Sequence, residues 1–177
     1  MFLIEISQLW FTMKLVLEVT KEEKYLQQIE EIAKDILESE GMNKERLFAH
    51  HGDISCFEHS LKVTLESLYI KDKFNLTVDE TSLIRGALLH DYYLYDWHIR
   101  DKSHRLHGFF HAEKALHNAC RDFHLNKIEK DIIRKHMFPL NLALPRYKES
   151  WIVTLADKKV ATKEVIDNII DKFLVRI

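Results

Sequence analysis

The chain has 177 residues, 46% hydrophobic and 31% charged, and a net charge of -2 from 28 acidic and 26 basic side chains. This predicts one globular domain spanning 1–177. It excludes a disordered tail, a fibrous repeat and the broad basic field that would hold a duplex nucleic acid. Only 4 Gly and 2 Pro are present, too few for the turns of a protein built from short strands, so the expected class is all-α with six or seven helices. Cys56 and Cys120 show no Cys-x-x-Cys spacing, so neither a disulfide framework nor a thiolate zinc site is predicted, and a cytoplasmic protein is expected. The 11 histidines are in excess of ordinary composition and ask for a chemical explanation.

In chain order, Met1 to Val19 is apolar but interrupted by Glu5, Lys14 and Glu18. It fits neither a secretory signal nor a span of about 20 apolar residues, and reads as chain packed on the domain or on a partner subunit of a homo-oligomer. From Lys21 to Glu40 the residues Tyr25, Ile29, Ile32, Ala33, Ile36 and Leu37 recur at helical spacing, and Gly41 is the expected stop. Ser55-Cys56-Phe57-Glu58 has the form of a capping box, so a helix starts near Asp53 or Ser55 and runs to about Lys71. Thr77-Val78-Asp79-Glu80 reads as another, opening a helix that ends in His90 and Asp91. Tyr92 to Leu106 lacks periodicity and reads as loop or short turns of helix, with Tyr92, Tyr93, Tyr95 and Trp97 as packing residues in preference to an aromatic lid over a base. Helical spacing resumes from His111 to Phe123. Asn126 with Glu129 caps a helix from Lys127 to about Met137, with Pro139 beyond it. After Pro145 a helix carries Trp151, Val153, Leu155 and Ala156, and Thr162 is placed to cap a last one ending at Phe173 and Leu174.

The chemistry starts at His90-Asp91. A bare histidine and carboxylate at the end of an apolar helix are costly to bury, and a metal ion satisfies both. His59 lies in the first turns of the preceding helix, and Asp157 lies within a later apolar one. The segments Glu58-His59-Ser60-Leu61-Lys62-Val63, Gly86-Ala87-Leu88-Leu89-His90-Asp91 and Leu155-Ala156-Asp157-Lys158 resemble the three core motifs of the HD superfamily of metal-dependent phosphohydrolases. The resemblance covers about residues 51–163. The phrases around Tyr95-Asp96-Trp97 and His136-Met137-Phe138-Pro139-Leu140 look like a bacterial branch of it.

The resemblance implies a helical bundle in which His59, His90, Asp91 and Asp157 hold one ion. In two-ion members Asp91 would bridge to a second ion held with two later histidines. His136 matches one of these; the other is His111, favoured because a helix is expected to begin there, or His107. Imidazole with carboxylate suits Fe, Mn, Zn, Co or Ni, and excludes an all-oxygen calcium cage. Paired ions lower the pKa of a shared water and grip phosphoryl oxygens, so the implied reaction is hydrolysis of a phosphoester or phosphoanhydride in a small phosphorylated compound, with nucleotides the favoured class. Here the chain departs from many hydrolytic members: Tyr92, Tyr93 and Leu94 follow the pair where a glycine and a lysine are usual. Lys62, Arg85, Arg105, Arg146 and Lys158 are the candidates to replace that lysine, with Lys62 and Arg85 foremost. If His111 is the ligand, His107 is placed to donate a proton to the leaving group. His50, His117 and His124 read as surface or structurally satisfied histidines, His104 as little different, and His51 and His98 as possible orienting groups near a motif. Two other classes share the ligand set, a diiron oxygenase and a non-catalytic metal- or nucleotide-binding module.

Overall fold

The computed structural model describes residues 2–51, 54–95 and 107–174, with side chains over 20–50, 54–95 and 110–174. His98, His104 and Arg105 lie outside the described residues, as do the side chains of His51 and His107. Helix α1 runs over Phe2–Leu37 with a kink at Ala33 (φ -122°, ψ 27°), so the first segment and the amphipathic stretch form one element. Tyr25, Ile29, Ala33 and Ile36 bury the face that their spacing marks out.

Gly41 does not end that helix. Ser39 turns the chain and caps α2 (Glu40–Glu45), its hydroxyl accepting from the Met42 amide at 3.1 Å. Gly41 sits inside α2, where a Cβ would fall 1.5 Å from the Tyr92 hydroxyl oxygen, so the glycine makes room for a buried tyrosine. A two-stranded antiparallel hairpin then pairs β1 (Ala49–His51) with β2 (Ile54–Ser55), an element not expected from the helical patterning. Gly52-Asp53 was its signal in the sequence.

Ser55 caps α3 (Cys56–Lys73) with both halves of the predicted box formed. The next cap is Asp79 rather than Thr77. Its carboxylate accepts from the Ser82 amide at 3.0 Å, and α4 (Glu80–Leu89) follows. Helix α5 (His107–Asp122) begins four residues before the expected His111. Asn126 and Glu129 box the start of α6 (Lys127–Lys135) as predicted. The two helices expected after Pro145 are one, α7 (Lys148–Leu174), and Thr162 is inside it, donating its hydroxyl to the Lys158 carbonyl at 2.6 Å instead of capping.

Helix α4 is the centre of the bundle and touches α1, α3, α5, α6 and α7. Leu83, Ile84, Ala87, Leu88 and Leu89 are all buried, against Val63 and Leu68 of α3, Ile132 and Ile133 of α6, and Ile152, Val153 and Ala156 of α7. Each of these Val, Leu and Ile side chains contributes about 1.5–3 kcal/mol on burial. Gly86 lets α6 approach, since a Cβ there would lie 2.5 Å from Ile132 Cδ1. Asp131 of α6 anchors the entry to α7, accepting from the Ser150 hydroxyl at 2.8 Å and the Arg146 amide at 2.9 Å. Among the described residues no helix is long and apolar enough to cross a membrane. The architecture is all-α with a minor hairpin, as the composition predicted.

Candidate metal centre

The ends of α4 and α6 meet at the site and use the same device. His90 follows α4 as its C-cap and donates from Nδ1 to the Ala87 carbonyl at 2.7 Å. His136 does the same after α6, to the Ile133 carbonyl at 2.8 Å. Each bond uses a carbonyl freed at a helix end and turns Nε2 away from the helix. Asp91, one residue past the cap, lies between them. Its Oδ2 is 3.4 Å from His90 Nε2 and 4.0 Å from His59 Nε2, and its Oδ1 is 3.2 Å from His111 Nε2 and 3.4 Å from His136 Nε2.

His59 enters from the second turn of α3 and Asp157 from α7, with His59 Nε2 3.2 Å and His90 Nε2 3.8 Å from Asp157 Oδ1. His111, one turn into α5, lies 2.9 Å from His136 through the two Nε2 atoms. His59, His90, Asp91, His111, His136 and Asp157 are all buried. An ion bound at about 2.1 Å sets neighbouring donors about 3.0–3.4 Å apart, and the spacing around Asp91 and Asp157 fits such a shell.

The electrostatics point the same way. Burial pushes His90 down to about 4, so its ring is neutral, Nδ1 carries the proton, and Nε2 offers a lone pair. That Nε2 and Asp91 Oδ1 are buried with no hydrogen-bond partner. A lone pair facing carboxylates is repulsive unless a cation lies between them. Burial opposes the charge on Asp91, but the imidazoles of His90 and His111 outweigh it and hold the carboxyl well below the usual carboxylate range. Burial likewise opposes the charge on Asp157, yet His59 beside it brings it down to about 2. Burial also works against a charged His59, but Asp157 and Glu164 carry it up to about 9.

Of the candidate lysine and arginine replacements, the side chains of Arg85, Lys62 and Lys158 have partners. Arg85 does not serve the cluster: its guanidinium lies 2.6 Å from Asp35 and 3.4 Å from Glu129, joining α1 and α6 to α4. Lys62 pairs with Glu164 at 3.1 Å. Lys158 lies at the edge of the cluster, its ammonium donating to the His136 carbonyl at 3.1 Å. The reason for favouring His111 fails, because α5 begins at His107, but His111 is the one whose described side chain meets Asp91 and His136. His117 and His124 are exposed as expected. Tyr92 and Tyr93 are packing residues, the first bonded to Asp122 at 3.1 Å and the second to Cys56 Sγ at 2.9 Å.

Two residues of the site escaped the sequence reading. His50, expected to be a surface or structurally satisfied histidine, is buried with Nε2 3.1 Å from Asp91 Oδ2, inside the cluster. Glu164 of α7 bonds His59 Nδ1 at 2.9 Å. Glu164 lies seven residues after Asp157, two turns along one helix face. That spacing was the available signal, hidden by the expectation of a helix break at Thr162.

The family model for the HD domain matches residues 56–162, more than half of the chain, and the protein therefore belongs to the HD domain family. Comparison with curated proteins and with solved structures finds no match. The family is one of metal-dependent phosphohydrolases, its members bind divalent metals, and the buried groups His50-His59-Asp91, His59-His90-Asp157 and His90-Asp91-His136 each bring three donor atoms close together, as a candidate ion site requires.

Proposed function

We propose that this protein hydrolyses a phosphoester or phosphoanhydride bond in a small phosphorylated compound, a nucleotide by preference, with one or two divalent transition ions. The observation that carries this reading is the pair of buried atoms without hydrogen bonds, His90 Nε2 and Asp91 Oδ1, which face the other donor atoms of the cluster and which a bound cation would satisfy together. His59, His90, Asp91 and Asp157 would hold the first ion in this reading. Asp91, His111 and His136 would hold the second. Ions of the Fe, Mn, Zn, Co or Ni type supply a water of lowered pKa and an electrophilic hold on phosphoryl oxygens.

The chain's own part is orientation and charge. The Ala87 and Ile133 carbonyls fix the rings of His90 and His136, and Glu164 fixes His59. Lys158 brings positive charge to the edge of the cluster, which favours an anionic substrate. His107, one turn ahead of His111 on α5, is assigned the proton donation to the leaving group. Lys62, exposed beside Glu164, is within the reach of a flexible side chain to help neutralise the substrate.

The test is phosphate release from a panel of nucleotides and phosphomonoesters by the metal-loaded protein. Release that disappears on chelation and in Asp91→Ala is the expected result. Oxygen consumption driven by an organic substrate would replace this reading with the oxygenase, and full metal occupancy with no turnover would replace it with a binding module.

A further inference from the structure

The β1–β2 hairpin is the one described non-helical element that reaches the centre, and it brings in His50. The ring of His50 stacks on that of His59, centroids 3.8 Å apart and planes 16° from parallel. Its Nε2 lies 3.1 Å from Asp91 Oδ2 and its Nδ1 4.0 Å from Glu164 Oε2, so it runs alongside His59 between the same two carboxylates. Two imidazoles stacked face to face point their in-plane lone pairs along parallel lines, and such lines do not converge on a single ion. His50 therefore acts on the centre through Asp91.

We propose that His50 is a positioning residue: donating from Nε2 to Oδ2 of Asp91, and stacked on His59, it locks the carboxylate rotation that presents one oxygen to each half of the centre. The terminal torsion of an aspartate is soft, and little else in the side chain decides which way its two oxygens face. With Oδ2 engaged by His50 toward His59 and His90, Oδ1 faces His111 and His136. The carboxylate oxygen has capacity for an ion as well as this donor. The site gains a shared ligand already turned for both positions.

This inference rests on the metal-centre reading, and the experiment separates the two. The full-length chain is stripped with chelator and titrated with Co(II), read by visible absorption and calorimetry, for wild type, His50→Ala and His50→Gln, with the metal-free melting temperature of each. Glutamine keeps an N–H donor near the position of Nε2. The expected result is Co(II) binding weakened about 10–100-fold in His50→Ala, the usual effect of losing a group that orients a ligand, and largely recovered in His50→Gln. Unchanged affinity in His50→Ala overturns the proposal. So does equal weakening in both variants, and so does a fall in both melting temperatures with no change in affinity, which would mark His50 as packing alone. If wild type itself binds no Co(II), the metal-centre reading fails first and this inference goes with it.

Discussion

The half of the cluster built by α3, α4 and α7 differs from the half built by α5 and α6 in the charge that stands behind it. On the first side His59 and His90 face the carboxylate of Asp157, and His59 is backed by a second carboxylate, Glu164, itself held by Lys62. On the other side His111 and His136 share Oδ1 of Asp91, and the backing described for His136 is a neutral carbonyl. A carboxylate behind an imidazole raises its basicity and its strength as a donor. In the proposed two-ion centre the carboxylate behind His59 would make the first position the stronger one, while both positions draw on Asp91.

The sharpest way to break this comparison is at the residue both halves share. Asp91→Ala should abolish retention of both ions, whereas His136→Ala should leave one. Elemental analysis after dialysis reads the difference, and equal retention would show that the two halves do not share Asp91.

The next effect is confined to the weaker half. His111→Ala should lower the metal content from two toward one per chain, while His107→Ala should keep both ions and slow turnover by about 10²–10⁴-fold, the range for a lost general acid. The reverse pattern would exchange their roles.

The pH dependence should belong to the stronger half. His59 is raised to about 9 in the folded protein from its ordinary value of 6.5, so in the metal-free protein its contribution to stability is fully present below about pH 6.5 and is lost as pH rises through 9. The chelated protein should lose on the order of 5 °C in melting temperature across that window. Metal affinity should rise over the same window, because the ion displaces the proton of His59. A melting temperature that is flat from pH 6.5 to 9 would contradict the strong pairing of His59 with Asp157 and Glu164.

The smallest effect tests how the halves are held together. Gly86→Ala gains about 1 kcal/mol of helix propensity but drives a methyl into Ile132, where overpacking costs about 1–3 kcal/mol. The net loss of stability should be modest, and the displaced α6 should carry His136 outward, weakening the second ion more than the first. Parallel loss of both would mean that the bundle yields as a unit. Gly41→Ala, against the Tyr92 hydroxyl and away from this contact, should destabilise without altering the ratio of the two affinities.

Much of this centre was legible in the sequence because its signals are local. The capping boxes at Ser55 and Asn126 form as read, since each needs only residues three apart. His59, His90, Asp91, His136 and Asp157 stand in motif segments whose burial follows from the apolar faces around them. Of the misplaced boundaries, Gly41 and Thr162 arose where a plausible local cap lost to packing, while Thr77 lost to the neighbouring Asp79 cap. Gly41 gives way to the Tyr92 ring, and Thr162 to a helix that stays continuous while Val160 and Glu164 remain buried on either side of it.

What the sequence determined by itself was the all-α class, the HD motifs and the ligand types, because helical period and residue chemistry are written in neighbouring positions. Tertiary structure alone decided which charges were free for the site. Arg85 meets Asp35 across 50 residues, His50 meets Asp91 across 41, and His59 meets Glu164 across 105. Such pairings depend on how the hairpin and helices α1, α3, α4 and α7 come to lie against one another, and no local rule of spacing or propensity carries that information.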